Sequence, residues 1–188
     1  MAGNSRTPRH QTRAAEPAHG WLNESQQTAW RSFQVMQARL NGAVGHDLAQ
    51  HSELSAQDYV VLVALTDQAE GELRVFQLGE MLGWEKSRVS HQVKRMAERG
   101  LVDKKRCGAD RRGATVRVTP TGWEAIRAAA PSHVDAVRRW FVDVLTDDEL
   151  TALGEACRRV VAAIDSELGN VCPQERGTPK TGLRTTAG

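Results

Sequence analysis

Residues 84–119 read WEKSRVSHQVKRMAERGLVDKKRCGADRRGATVRVT, and the rest of the chain is arranged around them. Between Lys86 and Arg112 there are ten Lys or Arg and three Asp or Glu, a formal +7, while the whole chain carries only +2. The remainder therefore sums to −5. A basic patch this concentrated in a nearly neutral chain is the electrostatic footprint of a surface that meets a polyanion.

The first half of the stretch is an amphipathic helix. Val89, Val93 and Met96 recur at helical spacing with Ala97 beside them and form one stripe to bury. Lys86, Ser87, Ser90, His91 and Lys94 project from other sides, flanked by Arg88 and Arg95. Gly100 is suited to the left-handed residue that ends such a helix. Upstream, VFQLGEML places Leu78 and Leu82 four apart and closes on Gly83, which predicts a shorter helix. Two helices joined across Gly83–Trp84, the second basic, form a helix-turn-helix whose second member enters the major groove.

The second half is a hairpin. Leu101–Val102 opens a run ending in KKRC, and Thr115–Thr119 alternates with period two as a half-buried strand does. Gly108-Ala109-Asp110-Arg111-Arg112-Gly113 is the turn, with glycine at both ends. Arginines on such a tip can reach a minor groove, where negative potential concentrates. Asp110, two residues before Arg112, can hold that guanidinium in a bidentate pair and aim it. Helix, turn, helix and hairpin together predict a winged helix within a mainly α (α+β) fold.

The run from Leu54 to about Ile164 resembles the MarR family (multiple antibiotic resistance regulators) of bacterial transcription factors. The likeness rests on the short helix ending LGW, on KSRVSHQVKRMAERGLV, on DRRG, and on VRVTPTG opening the next helix, all in the family's order. It implies a DNA-binding regulator, most often a repressor, that dimerises through its terminal helices. It also implies a wing pair at Asp110 and Arg112 directed at the minor groove. A small effector, frequently aromatic and anionic, is expected in the crevice between the dimer helices and the DNA-binding lobe. Trp30, Arg31, His46 and Tyr59 are the candidates to line it, and each also fits ordinary packing or surface.

Outside the central stretch the pattern is helical. Asn23 with Gln26 makes a cap, followed by a stripe of Phe33, Met36, Leu40, Val44 and Leu48. Ser55 and Asp58 open a second helix that turns Tyr59, Leu62, Val63 and Leu65 inward. Gly71–Arg74 is short and extended, and is expected to be the third strand of the wing. Thr119 and Pro120 start a helix as N-cap and first residue, with Pro131 predicted to kink it. Thr146 with Glu149 caps the last helix, where Leu150, Leu153, Cys157, Val160, Ile164 and Leu168 make a seam for another helix.

The expected organisation is a tail at 1–20, a domain at 21–169, and a second tail at 170–188. Within the domain the DNA-binding lobe spans about 54–119, and dimerisation helices span about 22–51 and 120–169. A two-fold homodimer would present two recognition helices roughly 34 Å apart, so an imperfectly palindromic operator is expected.

For the individual residues, Ser87, Ser90 and His91 suit base readout on the early turns. Arg88 suits base or phosphate, and Lys94, Arg95 and Arg111 suit phosphates. A competing reading is a non-specific architectural binder that only tracks phosphates. Another is a redox-responsive regulator acting through Cys107, whose basic surroundings favour the thiolate. Peroxide-sensing MarR-like members carry their cysteine in the first helix, where this chain has none.

Cysteines 107, 157 and 172 form neither a CxxC nor a metal quartet, which points to the cytoplasm. His46 and His51, five apart, do not share a helical face for a metal. No cofactor is expected. No apolar run approaches the roughly 20 residues of a membrane span. There is no nucleophile–base motif and no phosphate-cradling glycine loop, so an enzyme is not the expectation.

Overall fold

The computed structural model describes residues 20–106 and 114–168. The expected tails, but for Gly20, and the wing tip, with Cys107, Asp110, Arg111 and Arg112, lie outside the described residues. By its contacts the chain divides into two units, residues 1–38 and 39–188.

Helix α1 (Glu24–His51) starts as the sequence predicts. The Asn23 side chain accepts from the Gln26 amide at 2.9 Å, and the Gln26 side chain accepts from the Asn23 amide at 2.9 Å. Two orphan donors of the first turn are thereby satisfied. Within the first unit, Trp30 and Phe33 stack at 6.0 Å between ring centroids, and both are exposed.

The second unit holds the core. Helix α2 (Ala56–Thr66) is capped reciprocally by Ser55 and Asp58 and buries Val61, Leu62 and Leu65 completely. Strand β1 (Glu72–Arg74) leads into α3 (Val75–Leu82), and after a tight turn comes α4 (Lys86–Glu98). Strands β2 (Val102–Arg106) and β3 (Ala114–Val118) complete an antiparallel sheet in the order β1-β3-β2. The expected third strand is therefore present. Its register sets Leu73 and Lys104 on either side of fully buried Val116, and sets exposed Glu72 and Asp103 on either side of Arg117. Opposite charges paired across strands favour this register over a one-residue slip.

Helix α5 (Pro120–Val137) begins where the sequence places it. The Thr119 hydroxyl donates to the Gly100 carbonyl at 2.6 Å and accepts from the Gly122 amide at 3.0 Å. A Cβ at Gly122 would stand 2.1 Å from the Leu101 carbonyl oxygen, so only glycine lets α5 close onto the end of the α4–β2 turn.

The helix runs through Pro131 without interruption. The helical pattern changes further on, at Arg138–Val142, a π turn in which the Asp143 amide donates to the Arg138 carbonyl at 2.8 Å. Pro131 is exposed, so the carbonyl deprived of its partner can bond water instead.

Helix α6 (Asp147–Leu168) carries the predicted Thr146/Glu149 capping box. Its apolar seam is uncovered in the single chain: Val160, Ile164 and Leu168 are exposed, and so is Cys157.

Candidate nucleic-acid interface

The turn between α3 and α4 sets the angle of the basic helix. Gly83 has φ of 61°, a left-handed value that glycine adopts without a Cβ penalty. Its amide donates to the Glu80 carbonyl at 3.2 Å, and the Trp84 amide reaches the Gly79 carbonyl at 2.9 Å. These two bonds close the end of α3 and reverse the chain into α4.

Helix α4 has two distinct faces. Val89, Val93 and Met96 are buried against the core, as their spacing predicts. Lys86, Ser87, Arg88, His91, Lys94 and Arg95 are exposed and share the outer surface. Ser90 corrects the expectation in part: it is half-buried, because it borders the inward stripe directly after Val89. Arg88 places its guanidinium carbon 4.2 Å from the centroid of the Trp84 ring. Lys94 lies 3.8 Å from Glu98 one turn on, an exposed pair of little energetic weight.

A polar network beneath α4 was not legible from the charge pattern. Asp58 is fully buried and accepts from Gln92 Nε2 and from Arg99 Nη1, each at 2.6 Å. Arg99 Nη2 also donates to the Glu53 carbonyl at 2.6 Å. Burial alone would raise the Asp58 pKa, but hydrogen bonds from Ser55 and the guanidinium of Arg99 outweigh it and hold the carboxyl below its ordinary value. Arg99 counts toward the basic patch in sequence but is tied inward in the fold. Gln92 had a signal, since it is three residues after Val89 and four before Met96 on the buried stripe.

The effector candidates are divided between the units. Trp30 and Arg31 are exposed on the part of α1 that belongs to the first. In the second, His46 is exposed and Tyr59 is buried, its ring 4.2 Å from that of His133 on α5. Burial raises the Tyr59 pKa and lowers that of His133, the latter opposed by the carboxylate of Asp47. His133 Nδ1 is buried without a hydrogen-bond partner.

A helix-turn-helix with a basic outer face, backed by a three-stranded antiparallel sheet, defines a winged-helix DNA-binding protein. The model of the MarR family matches residues 52–113. Among solved structures, the chain is similar to AbsC, a MarR family transcriptional regulator from Streptomyces coelicolor. That match has 34% identity and a TM-score of 0.72, covering 79% of this chain and 99% of AbsC. Sco3205 of the same organism, a MarR family transcriptional regulator in complex with DNA, is 33% identical. Its TM-score is 0.72, with 77% of this chain and 94% of that one covered. Sco5413, also from S. coelicolor, shares the fold at 24% identity and a TM-score of 0.66, with 77% of this chain and 98% of that one covered. No curated protein matches. The chain belongs to the MarR family of transcriptional regulators.

Proposed function

We propose that the protein is a homodimeric, sequence-specific transcriptional repressor that sets α4 into the major groove of an imperfectly palindromic operator. The observation that carries this reading is the division of α4 into a buried face of Val89, Gln92, Val93 and Met96 and an outer face of Lys86, Ser87, Arg88, His91, Lys94 and Arg95. Ser87 and His91 face the base edges in this reading, with Ser90 at the margin. Lys86, Lys94 and Arg95 meet phosphates. Asp110, Arg111 and Arg112 keep the wing roles assigned from sequence, with Arg112 in the minor groove, aimed by Asp110, and Arg111 on a phosphate.

Dimerisation is supported by the uncovered seam of α6, since exposed aliphatic side chains repeated along one helix face mark an interaction surface. Release by a small aromatic, anionic effector follows the family's habit, with His46 and Tyr59 of the second unit among its proposed contacts.

A gel shift of the purified protein on its own upstream DNA, with unrelated DNA as competitor at two salt concentrations, tests the reading. A discrete complex that survives competitor and added salt supports it. Equal loss from both DNAs as salt rises would mean phosphate tracking alone and would overturn it.

A further inference from the structure

Among the basic residues on the outer face of α4, Arg88 has an aromatic platform. Its guanidinium carbon lies 4.2 Å from the centroid of the Trp84 ring, within the range of a cation–π contact. The platform is itself anchored. The Trp84 backbone is tied to the Gly79 carbonyl through the helix-turn-helix turn, and its half-buried side chain packs on the core cluster. Arg88 is the third residue of α4, on the first turn, where side chains of a recognition helix reach base edges. Lys94 and Arg95 stand about two turns further along.

A guanidinium held against an aromatic ring is restrained in orientation, and its N–H donors form a fixed planar fork. That planar fork matches the O6 and N7 acceptors of guanine in the major groove. The contact with the ring also removes side-chain freedom that an unsupported arginine loses only when it binds. An arginine meant only for phosphates needs no such constraint, since phosphate contacts tolerate a mobile point charge.

We infer that Arg88 reads a guanine in each half-site and that Trp84 is its positioning residue. This rests on the sequence-specific DNA-binding reading above, and adds to it the base recognised and the device that aims the contact. Trp84 is not a DNA contact in this scheme. It acts through Arg88.

The test begins with selection of a consensus duplex from a randomised pool by the wild-type protein. Fluorescence anisotropy then compares variants on that duplex, on each single base-pair replacement of it, and on unrelated duplex. Arg88→Ala and Arg88→Lys are expected to lose about tenfold preference for one G·C pair per half-site, because lysine keeps the charge but not the fork. Trp84→Leu should flatten the same pair by about threefold or more, and leave the preference at other pairs and the salt slope as in wild type. Trp84→Phe, with a weaker ring face, should give a smaller loss at that pair, and carries the test if Trp84→Leu loses its helical circular dichroism. The double variant Trp84→Leu/Arg88→Ala should discriminate no worse than Arg88→Ala alone.

Uniform weakening on every duplex by Arg88→Ala, with a salt slope lower by about one, would make Arg88 a phosphate contact and overturn the inference. Undiminished G·C preference in a folded Trp84→Phe, or additive losses in the double variant, would remove Trp84 from its role. A wild-type protein that enriches no sequence would instead defeat the underlying function, which is a separate and recognisable failure.

Discussion

Arg99, which closes α4, donates to Asp58, which opens α2, at 2.6 Å, although 41 residues separate them. The carboxylate is fully buried, and it also takes the Gln92 side chain and the Ser55 amide. One acid therefore fixes α4 to α2 through two side chains about two turns apart. The placement of the exposed basic face of α4 depends on a buried residue of another helix.

Removing either partner should be unequal in cost. Asp58→Ala is expected to destabilise by about 3 kcal/mol or more, since it strips a cap and leaves a charged and an amide donor unsatisfied. Arg99→Ala should cost less, about 1–2 kcal/mol, because its side chain is 38% exposed and water screens the pair. Urea denaturation of the two variants measures the order, and a larger loss for Arg99→Ala would contradict it.

Acid should weaken the fold in two windows. Burial lowers the His133 pKa below its ordinary 6.5, against the opposing pull of Asp47, so the folded state binds protons less readily than the unfolded one. Its contribution is whole above about pH 6.5 and is lost as pH falls through the lower folded value. Asp58 is also depressed, burial being outweighed by Ser55 and Arg99. Its share is whole above about pH 4 and is lost below, as the folded-state carboxyl titrates. The urea midpoint, followed from pH 7.5 to 3, should fall in both ranges, and His133→Gln should abolish the upper step alone (the pH values being about those of the unperturbed groups).

Gly122→Ala should be among the costlier single-methyl additions. The new Cβ would lie 2.1 Å from a backbone oxygen and 2.9 Å from Val118 Cγ1, and the backbone has no rotamer with which to yield. Overpacking of this kind costs typically about 1–3 kcal/mol, and the upper end is expected. A thermal melt within a degree of wild type (about 0.4 kcal/mol) would show that α5 can shift away from Leu101.

Ile164→Lys places a charge in the middle of the exposed α6 seam. Sedimentation equilibrium should report the wild type as a dimer and the variant as a folded monomer, with helical content preserved. A dimeric variant would place the interface elsewhere.

Arg112→Ala should weaken binding to the selected duplex about tenfold, and Asp110→Ala by less, because the latter removes only the aim of the guanidinium. If anisotropy at moderate salt registers neither change, the wing assignment fails.

How much of this was written in the order of residues depends on the range of the interaction concerned. Capping boxes at Asn23, Ser55 and Thr146, the stripe of Val89, Val93 and Met96, the turn at Gly83 and the alternation of β3 are all local. Each is decided by groups within a few residues, and each lies where the pattern placed it. The third strand was expected at the wing, but not its place beside β3, since a two-stranded hairpin leaves two open edges.

Tertiary structure decided what charge and spacing could not. Asp58 looks like a cap and is also the anchor of α4; Arg99 looks like part of the basic patch and is paired with the buried Asp58. Trp84 looks like a turn residue and is the platform under Arg88, and Tyr59 is packed on a histidine 74 residues away. Periodicity assigns a side chain to a face, because a helix repeats every 3.6 residues. Whether a charge on that face meets water or a buried partner is set by which distant segment folds against it, and no local repeat encodes that.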